Sequence, residues 1–264
     1  MQLLWTCRTH VGVTPSLNED SFAANEPRGL FVVADGLGGH AGGAEASRLT
    51  VGAFTRIMST SPKAPAIPLP FLPPADLDGE QLRLYVAARL ANRVVHEAAL
   101  SNTALAGMGS TLVGLWLSAG MAHVVHIGDS RCYRLRGAQL EQLTQDHSLV
   151  NELIRDGELE PEQAFGHPDG NVLTFALGAD PDVEPAVRMC DVAAADLFML
   201  CSDGLSDVVP AQALQELLAP LGGDSVATEE ALERCADDLV QIANTQGGDD
   251  NVTVILVKVE GEAG

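Results

Sequence analysis

Three aspartates share one setting in this sequence, because each lies at an end of a short apolar segment with a glycine close by. They are Asp35 after residues 31–34, Asp203 after residues 198–201, and Asp250 before residues 251–259. If these segments are strands, each carboxylate is held at a rigid strand end, and the glycine lets a cation approach the backbone. Converged carboxylates repel one another unless positive charge lies between them. The pattern therefore predicts a site for a hard divalent cation, Mg²⁺ or Mn²⁺, bound by oxygen atoms.

Each of these motifs has a simpler interpretation when it is taken alone. An Asp-Gly pair after a strand is usually a plain turn. Asp250 and Asn251 are typical of a turn that is capped by its own side chains. Residues 128–131, Gly-Asp-Ser-Arg, have the composition of a hairpin turn with an internal ion pair. The number of these motifs and their order along one chain favour the metal site.

The surrounding elements indicate how these residues are positioned. Short runs of apolar and β-branched residues predict strands, and apolar residues that recur every three to four positions predict helices. The predicted strands are residues 30–34, 111–117, 122–127, 132–135, 197–201 and 251–259, and the predicted helices are residues 44–58, 81–99, 210–218 and 229–243. Residues 128–131 separate two predicted strands, a spacing that suits a hairpin rather than a helical crossover. We therefore predict an antiparallel sheet in an α+β layered fold.

The chain is strongly acidic, with 15 Lys and Arg against 36 Asp and Glu and a formal net charge of −21. This charge repels phosphate backbones and anionic lipid headgroups, so nucleic-acid and membrane partners are disfavoured. A phosphate-bearing substrate is compatible with this negative charge if some of the carboxylates bind cations. No segment approaches the roughly 18 apolar residues of a membrane span, and we expect a cytoplasmic protein.

Residues 62–74 contain six prolines, which exclude a regular helix or a central strand. We interpret this proline-rich insertion as a surface loop between two helices; docking into an aromatic groove is the alternative. The sequence has no internal repeat and no clean linker. We therefore predict one domain over residues 1–264.

Eight short motifs, in this order along the chain, closely resemble the bacterial branch of the metal-dependent protein phosphatase family (PPM, or type 2C). They are Asn18-Glu19-Asp20, Asp35-Gly36-Leu37-Gly38-Gly39-His40, Gly109-Ser110-Thr111, Gly128-Asp129-Ser130-Arg131, Leu143-Thr144-Gln145-Asp146-His147-Ser148, Leu173-Thr174-Phe175-Ala176-Leu177-Gly178, Ser202-Asp203-Gly204-Leu205 and Asp250-Asn251-Val252-Thr253. The resemblance extends from about Gly12 to Val259, nearly the whole chain. It implies hydrolysis of phosphoserine and phosphothreonine in proteins.

The resemblance also implies a four-layer α-β-β-α sandwich, with a central antiparallel β-sandwich and the metals in a cleft at one edge. Residues 148–177 match a small mobile segment beside the active site, the flap, which is a determinant of substrate choice. The implied metal ligands share carboxylate or carbonyl oxygens. They are Asp35 as the bridge between two Mn²⁺ or Mg²⁺ ions, Gly36 through its carbonyl, Asp203 and Asp250 at one ion, Glu19 through water and Asp20 at the second, and Asp129 at a third, weaker ion.

In such a site two ions that share one water lower its pKa enough to supply a bridging hydroxide near neutral pH, and they neutralise the phosphoryl oxygens. The sequence has no nucleophile-elbow serine, no zincin histidine pair and no P-loop, which favours direct hydrolysis. Asp35 and His40 are the predicted catalytic residues. His40 is the candidate general acid for the departing alkoxide; the alternative is a histidine that only orders its loop.

The chain departs from the family at the position of an arginine that usually precedes the Asn-Glu-Asp motif by three residues and clamps the substrate phosphate. Pro15 stands there, and Gly170 occupies a second position in the flap where bacterial relatives often place arginine. Arg8 and Arg48 are nearby candidates for the missing contact. No residue is assigned to substrate binding, and we expect a raised KM and a substrate that is not strongly acidic around its phosphosite.

The implied partners are phosphorylated proteins, the substrates of a Hanks-type Ser/Thr kinase. Two alternatives remain open at this point. One is a weakly active or inactive binding module that uses the flap and the proline-rich insertion to engage a partner. The other is a metallohydrolase of small phosphate esters or nucleotides, which comparative turnover would distinguish from a protein phosphatase.

Overall fold

The structure, a computed structural model, describes residues 1–39, 41–60, 69–223 and 228–261. Its strands are β1 (Gln2–His10), β2 (Ser21–Asn25), β3 (Leu30–Ala34), β4 (Gly36–Leu37), β5 (Gly109–Ser110), β6 (Leu112–Ser118), β7 (Met121–Ile127), β8 (Arg131–Arg136), β9 (Gln139–Gln142), β10 (Ala186–Asp191), β11 (Leu197–Cys201) and β12 (Val252–Glu260). Its α-helices are α1 (Ala41–Ser59), α2 (Gly79–Ser101), α3 (Leu149–Arg155), α4 (Asp203–Ser206), α5 (Ala211–Leu218) and α6 (Glu229–Gln246). The strands and helices predicted from the sequence are all present among these elements.

Two five-stranded antiparallel sheets form the centre of the molecule. The first has the strand order β1-β12-β11-β8-β9, and the second has the order β10-β7-β6-β3-β2. Strands β4 and β5 pair separately, with Gly36 opposite Ser110. The predicted antiparallel arrangement is confirmed.

Alternate residues of the central strands pack on opposite faces. In β11, Phe198 and Leu200 belong to the apolar cluster between the two sheets, whereas Leu197, Met199 and Cys201 belong to the cluster beneath α5 and α6. A strand that is buried on both faces has a continuous apolar sequence rather than an alternating one. This is why β11 could be predicted from its sequence with its exact bounds.

Helices cover the outer face of each sheet. Residues of α1 and α2, such as Phe54 and Leu84, pack against the second sheet, and residues of α5 and α6, such as Leu214 and Leu239, pack against the first. The layers are therefore α-β-β-α, which confirms the predicted fold class. Of the helices in the described part of the chain, none combines the length and apolar character that a membrane-spanning helix requires.

The predicted hairpin across residues 128–131 was wrong. Strand β7 lies in the second sheet and β8 in the first, so this segment crosses between the sheets. Since β7 already pairs with β6 and β10, it has no free edge for β8. Gly128 permits the crossing with a φ of +96°, and a Cβ there would lie 2.7 Å from Thr111 Cγ2. The hairpin instead joins β6 to β7 through Ala119 and Gly120, which both have positive φ.

The proline-rich insertion, residues 62–74, lies partly outside the described residues, which resume at 69. In the described part, the ring of Phe71 packs edge-on against Tyr85 with 6.3 Å between centroids. The Arg89 guanidinium lies 4.2 Å from the Phe71 ring centroid. The flap contains α3 and a short 3-10 turn at Pro161–Gln163.

Candidate metal centre

Asp35 is the first residue after β3, and its backbone is bonded to Thr111. The Asp35 N–H donates to Thr111 Oγ1 at 2.9 Å, and the Thr111 N–H donates to the Asp35 carbonyl at 2.8 Å. Thr111 Oγ1 also shares a 2.7 Å hydrogen bond with Ser130 Oγ, on the segment that crosses between the sheets. Asp35 is therefore held at a fixed position relative to both sheets.

Asp203 begins α4 one residue after the end of β11, and the intervening Ser202 links it to two other parts of the centre. Ser202 Oγ accepts a hydrogen bond from the Thr253 N–H at 3.0 Å and donates one to Asp20 Oδ2 at 2.8 Å. The Ser202 N–H donates to the Thr253 carbonyl at 3.1 Å. One buried hydroxyl thus positions Asp20 against the ends of β11 and β12, a role that the sequence did not reveal.

Substitution of Ser202 by alanine is expected to destabilise the folded protein by about 1–3 kcal/mol, because it leaves the Asp20 carboxylate and the Thr253 N–H without this partner. Thermal unfolding in EDTA measures the change without a contribution from bound metal. Ser101→Ala is the matched control, since the Ser101 hydroxyl is exposed and bonds only to the Glu97 carbonyl of its own helix. Equal shifts in the two variants would contradict the role assigned to Ser202.

Asn251 links the segment between β1 and β2, which contains Glu19, to the start of β12 through hydrogen bonds. Its Oδ1 accepts from the Glu19 N–H at 2.6 Å, and its Nδ2 donates to the carbonyls of Val11 and Leu17 at 2.7 and 3.0 Å. All of the hydrogen-bonding atoms of this amide are directed at one loop. Asn251 therefore positions Glu19, a role that its place beside Asp250 in the sequence does not indicate.

Gly43, in the first turn of α1, leaves open a space that two oxygen atoms share. A Cβ at Gly43 would overlap Glu19 Oε2 and would lie 2.8 Å from the Gly36 carbonyl oxygen. A Cβ at Gly36 would in turn overlap the Gly43 carbonyl and lie 2.7 Å from the Glu19 carbonyl. The Glu19 carboxylate and the Gly36 carbonyl therefore converge beside a pair of glycines, and any side chain at Gly43 would occupy the space between them.

The carboxylates of the centre repel one another strongly. Burial raises the pKa of Asp35 well above its usual range, and nearby Asp203 and Asp20 raise it further. Burial also raises the pKa of Asp20 and of Asp203 to about 6 each, with Asp250 acting on both in the same direction. Although Asp20 and Asp203 are only partly buried as residues, one carboxylate oxygen of each is fully buried and has no hydrogen-bond partner. The cluster thus carries more negative charge than its surroundings compensate.

These features suit a hard divalent cation. The donors are carboxylate and carbonyl oxygens, which Mg²⁺ and Mn²⁺ prefer, and positive charge between them would remove the repulsion that raises their pKa values. Among the described residues, no three His, Cys, Asp or Glu side chains already form a complete ligand set around one point. Mg²⁺ retains several waters and commonly binds through one or two carboxylates, so it does not require such a set.

Of the remaining predicted residues, the structure describes Asp250 and Asp129. Asp250 is exposed beside this cluster and accepts from the Asn251 N–H at 2.7 Å. Asp129 is buried on the crossing segment, and burial raises its pKa to about 8, with Asp203 acting in the same direction. His40 lies outside the described residues. The structure therefore brings Asp35, Asp203 and Asp20 closely together, with Glu19 and the Gly36 carbonyl beside them.

Neither candidate for the missing phosphate contact has a hydrogen bond or ion pair with a residue of this centre. Arg8 Nε donates to Asp237 Oδ1 on α6 at 2.6 Å, and its Nη2 lies 4.0 Å from Glu233. Arg48 pairs with Glu45, one turn earlier on α1, at 2.6 Å. Both guanidinium groups are engaged by carboxylates, so the expectation that one of them replaces the family arginine at Pro15 receives no support from these contacts.

Comparison with known proteins places this geometry in context. A family model described as "Protein phosphatase 2C" matches residues 10–256. The serine/threonine phosphatase stp of Listeria monocytogenes is 35% identical over 256 residues, which cover 95% of this chain and 94% of that protein. The crystal structure of the Mycobacterium tuberculosis serine/threonine phosphatase PstP/Ppp superimposes with a TM-score of 0.83 at 34% identity, covering 98% of this chain and 99% of that one. A structure of the PstP catalytic domain in complex with two manganese ions has a TM-score of 0.78 at 33% identity, with coverage of 98% and 99%.

Proposed function

This chain belongs to the protein phosphatase 2C family, and from that premise we propose that it hydrolyses phosphoserine and phosphothreonine in proteins at a centre of two Mn²⁺ or Mg²⁺ ions. As a member it is a metal-dependent serine/threonine protein phosphatase. The proposal concerns the two ions and the residues that hold them. The proposal rests on the cluster of Asp35, Asp203 and Asp20. Their carboxylate oxygens are buried close together, and among the described residues no positively charged side chain pairs with them.

Asp35 is the proposed ligand of both ions, because its carboxylate lies within the electrostatic reach of every other aspartate in the cluster. Asp203 and Asp250 are proposed for one ion, and the Gly36 carbonyl for the other, because it shares the space beside Gly43 with Glu19. Glu19 and Asp20 are proposed for the second, where Asn251 and Ser202 fix their positions. Asp129 is proposed to contribute to a third, weaker ion.

When bound, such ions supply Lewis-acid activation of water and neutralise charge on the phosphoryl oxygens. The residues of the chain hold this arrangement rigid, since strand ends and buried hydroxyls fix each carboxylate. A water oxygen attacks phosphorus in line, the bond from phosphorus to the serine or threonine oxygen breaks, and inorganic phosphate is released. No side chain of the protein forms a covalent bond with the substrate.

His40 is the proposed donor of the proton that the departing serine or threonine oxygen requires. An imidazole can supply a proton at cellular pH. His40 follows the glycine turn after Asp35, which is held at the centre. Its assignment is drawn from the sequence alone and stays a prediction.

Phosphorylated proteins are the proposed partners, and the kinase that phosphorylates them is proposed to be of the Hanks type. The relatives from Listeria and Mycobacterium are serine/threonine phosphatases, which supports a phosphoprotein substrate. The cytoplasmic location expected from the sequence stays a prediction.

Hydrolysis of a phosphothreonine peptide by the purified chain, with Mn²⁺ and with EDTA, tests the proposed function. We expect turnover that depends on the metal and exceeds turnover of a nucleoside triphosphate. Absence of turnover from folded, metal-loaded protein would favour the binding module instead. Faster turnover of nucleotides than of phosphopeptide would favour a small-ester hydrolase.

Restoring the family arginine with Pro15→Arg is expected to lower KM for a phosphopeptide by about tenfold, because a guanidinium can form a charge-assisted contact with the phosphate. Steady-state kinetics at saturating Mn²⁺ measures the change. Arg8→Ala is the control, since Arg8 is engaged by Asp237 and its loss is expected to leave KM unchanged. An unchanged KM in Pro15→Arg would show that this position does not limit phosphate binding.

A further inference from the structure

A cavity of about 420 Å³ lies between the flap and the body of the molecule, beside the proposed metal centre. Helix α4 starts at Asp203 and leads into it: the Asp207 N–H donates to the Asp203 carbonyl at 2.8 Å, and Ser206 and Asp207 line the cavity wall. The cavity is thus about one helical turn, roughly 5 Å, from Asp203. A residue that flanks a phosphothreonine bound at the metal centre can reach it.

One wall of the cavity carries three carboxyl groups, and the Arg131 guanidinium that also lines the cavity is bound by one of them. Asp129, Asp146 and Asp207 all line it. Asp146 is satisfied, because it accepts from Arg131 Nη2 at 2.7 Å and from Gln142 Nε2 at 3.0 Å. Asp129 and Asp207 have no ion-pair partner among the described residues. Since Asp129 is proposed for the third metal ion, Asp207 is the carboxyl group left for a cation that the chain itself does not supply.

The flap side of the cavity carries apolar side chains together with the polar side chains of Asn151, His167 and Asn171. Ile154 and Phe165 line it, and the Phe165 ring is 56% exposed. In the described part of the chain no arginine or lysine stacks on this ring. Ser206 also lines the cavity, is only 2% exposed, and has a buried hydroxyl with no hydrogen-bond partner. An exposed aromatic ring and an aliphatic surface therefore line the same space as the acidic wall.

We propose that this cavity is a specificity subsite that receives an arginine flanking the phosphorylated residue of the substrate. Carboxylates bind the guanidinium, an exposed aromatic ring stacks on it, and apolar side chains cover its aliphatic stem. A metal ion needs neither the apolar side chains nor so large a volume. The proposal rests on the proposed function and names its substrate class: phosphoproteins with basic flanking sequences, in keeping with the net charge of −21.

The test uses phosphothreonine peptides in which one arginine is moved through the flanking positions, each paired with a peptide that carries citrulline, the neutral isostere, at the same place. At saturating Mn²⁺, we expect kcat/KM to favour arginine at one position by about tenfold. Asp207→Asn should abolish this ratio, and Phe165→Ala should lower it about threefold. Asp156→Asn removes an exposed flap carboxylate that does not line the cavity and should leave the ratio unchanged.

The outcomes separate this subsite from the function it serves. Turnover of all peptides with no preference for arginine would overturn the subsite and leave the phosphatase intact. Absence of turnover of every phosphopeptide would overturn both. A shift in the Mn²⁺ concentration for half-maximal activity in Asp207→Asn, with the arginine ratio unchanged, would assign the acidic wall to a metal ion and overturn the proposal.

Discussion

Asp203→Asn is expected to lower kcat for a phosphothreonine peptide by about a thousandfold or more, because the proposed Lewis-acid contribution is several kcal/mol and each 1.36 kcal/mol is a factor of ten. Asparagine retains the shape of aspartate but removes the charge that would hold a cation. The substitution lies at the second residue after β11, where Ser202 bonds to Thr253 of β12 and Gly204 lies against the Asn251 carbonyl. Steady-state kinetics over a range of Mn²⁺ concentrations measures the loss.

In the absence of metal, the Asp203→Asn variant should be more stable than the parent protein. This result would distinguish loss of a metal ligand from misfolding. Burial raises the pKa of Asp203 to about 6, against about 3.9 in an unfolded chain. The folded protein therefore holds this proton more tightly, so its stability falls as the pH rises from about 4 to about 6, and the cost is fully present at pH 7. Asparagine removes that cost.

Thermal unfolding at pH 7 in EDTA and in Mn²⁺ provides the measurement. We expect Asp203→Asn to unfold at a higher temperature than the parent in EDTA and to gain less from added Mn²⁺. Asp238→Asn, an exposed aspartate on α6, is the matched control and should behave as the parent in both conditions. A variant that unfolds at a lower temperature in EDTA would contradict the repulsion inferred for the cluster.

The parts of this molecule that the sequence predicted are those whose signal is local. Strands β3 and β11 are buried on both faces, so their apolar runs are continuous, and the aspartates that follow them were recognisable as strand-end groups. Strand β10 was not predicted. It lies at a sheet edge with Arg188 and Met189 exposed, which interrupts the apolar run.

The parts that could not be predicted depend on contacts between distant segments. Ser202 bonds to Asp20 across 182 positions, and Asn251 bonds to Glu19 across 232. Nothing in the neighbouring sequence of either residue marks those partners. The hairpin prediction for residues 128–131 was wrong for the same reason. Whether two strands pair or lie in different sheets depends on which strand edges are already occupied by other strands. The role of Gly43 likewise becomes visible only when α1 lies against Glu19 and Gly36.

Gly43→Ala is expected to weaken Mn²⁺ binding by about ten- to a hundredfold, the range typical of residues that support metal ligands. The added methyl group would overlap Glu19 Oε2 and press on the Gly36 carbonyl. Because Asn251 holds the Glu19 backbone, the side chain must rotate away from the space that the two oxygens share. Calorimetric titration with Mn²⁺ measures the binding directly, and activity at saturating Mn²⁺ shows how much is recovered.

Gly52→Ala is the control on the same helix, since a Cβ at Gly52 meets nothing within 4 Å. Both substitutions replace glycine by alanine in α1, so both should stabilise the helix itself by up to about 1 kcal/mol. Only Gly43→Ala should weaken Mn²⁺ binding, and it should do so without loss of helicity. Equal Mn²⁺ affinities in the two variants would mean that Glu19 and the Gly36 carbonyl do not share a cation, and the second ion would then have to be sought around Asp20 alone.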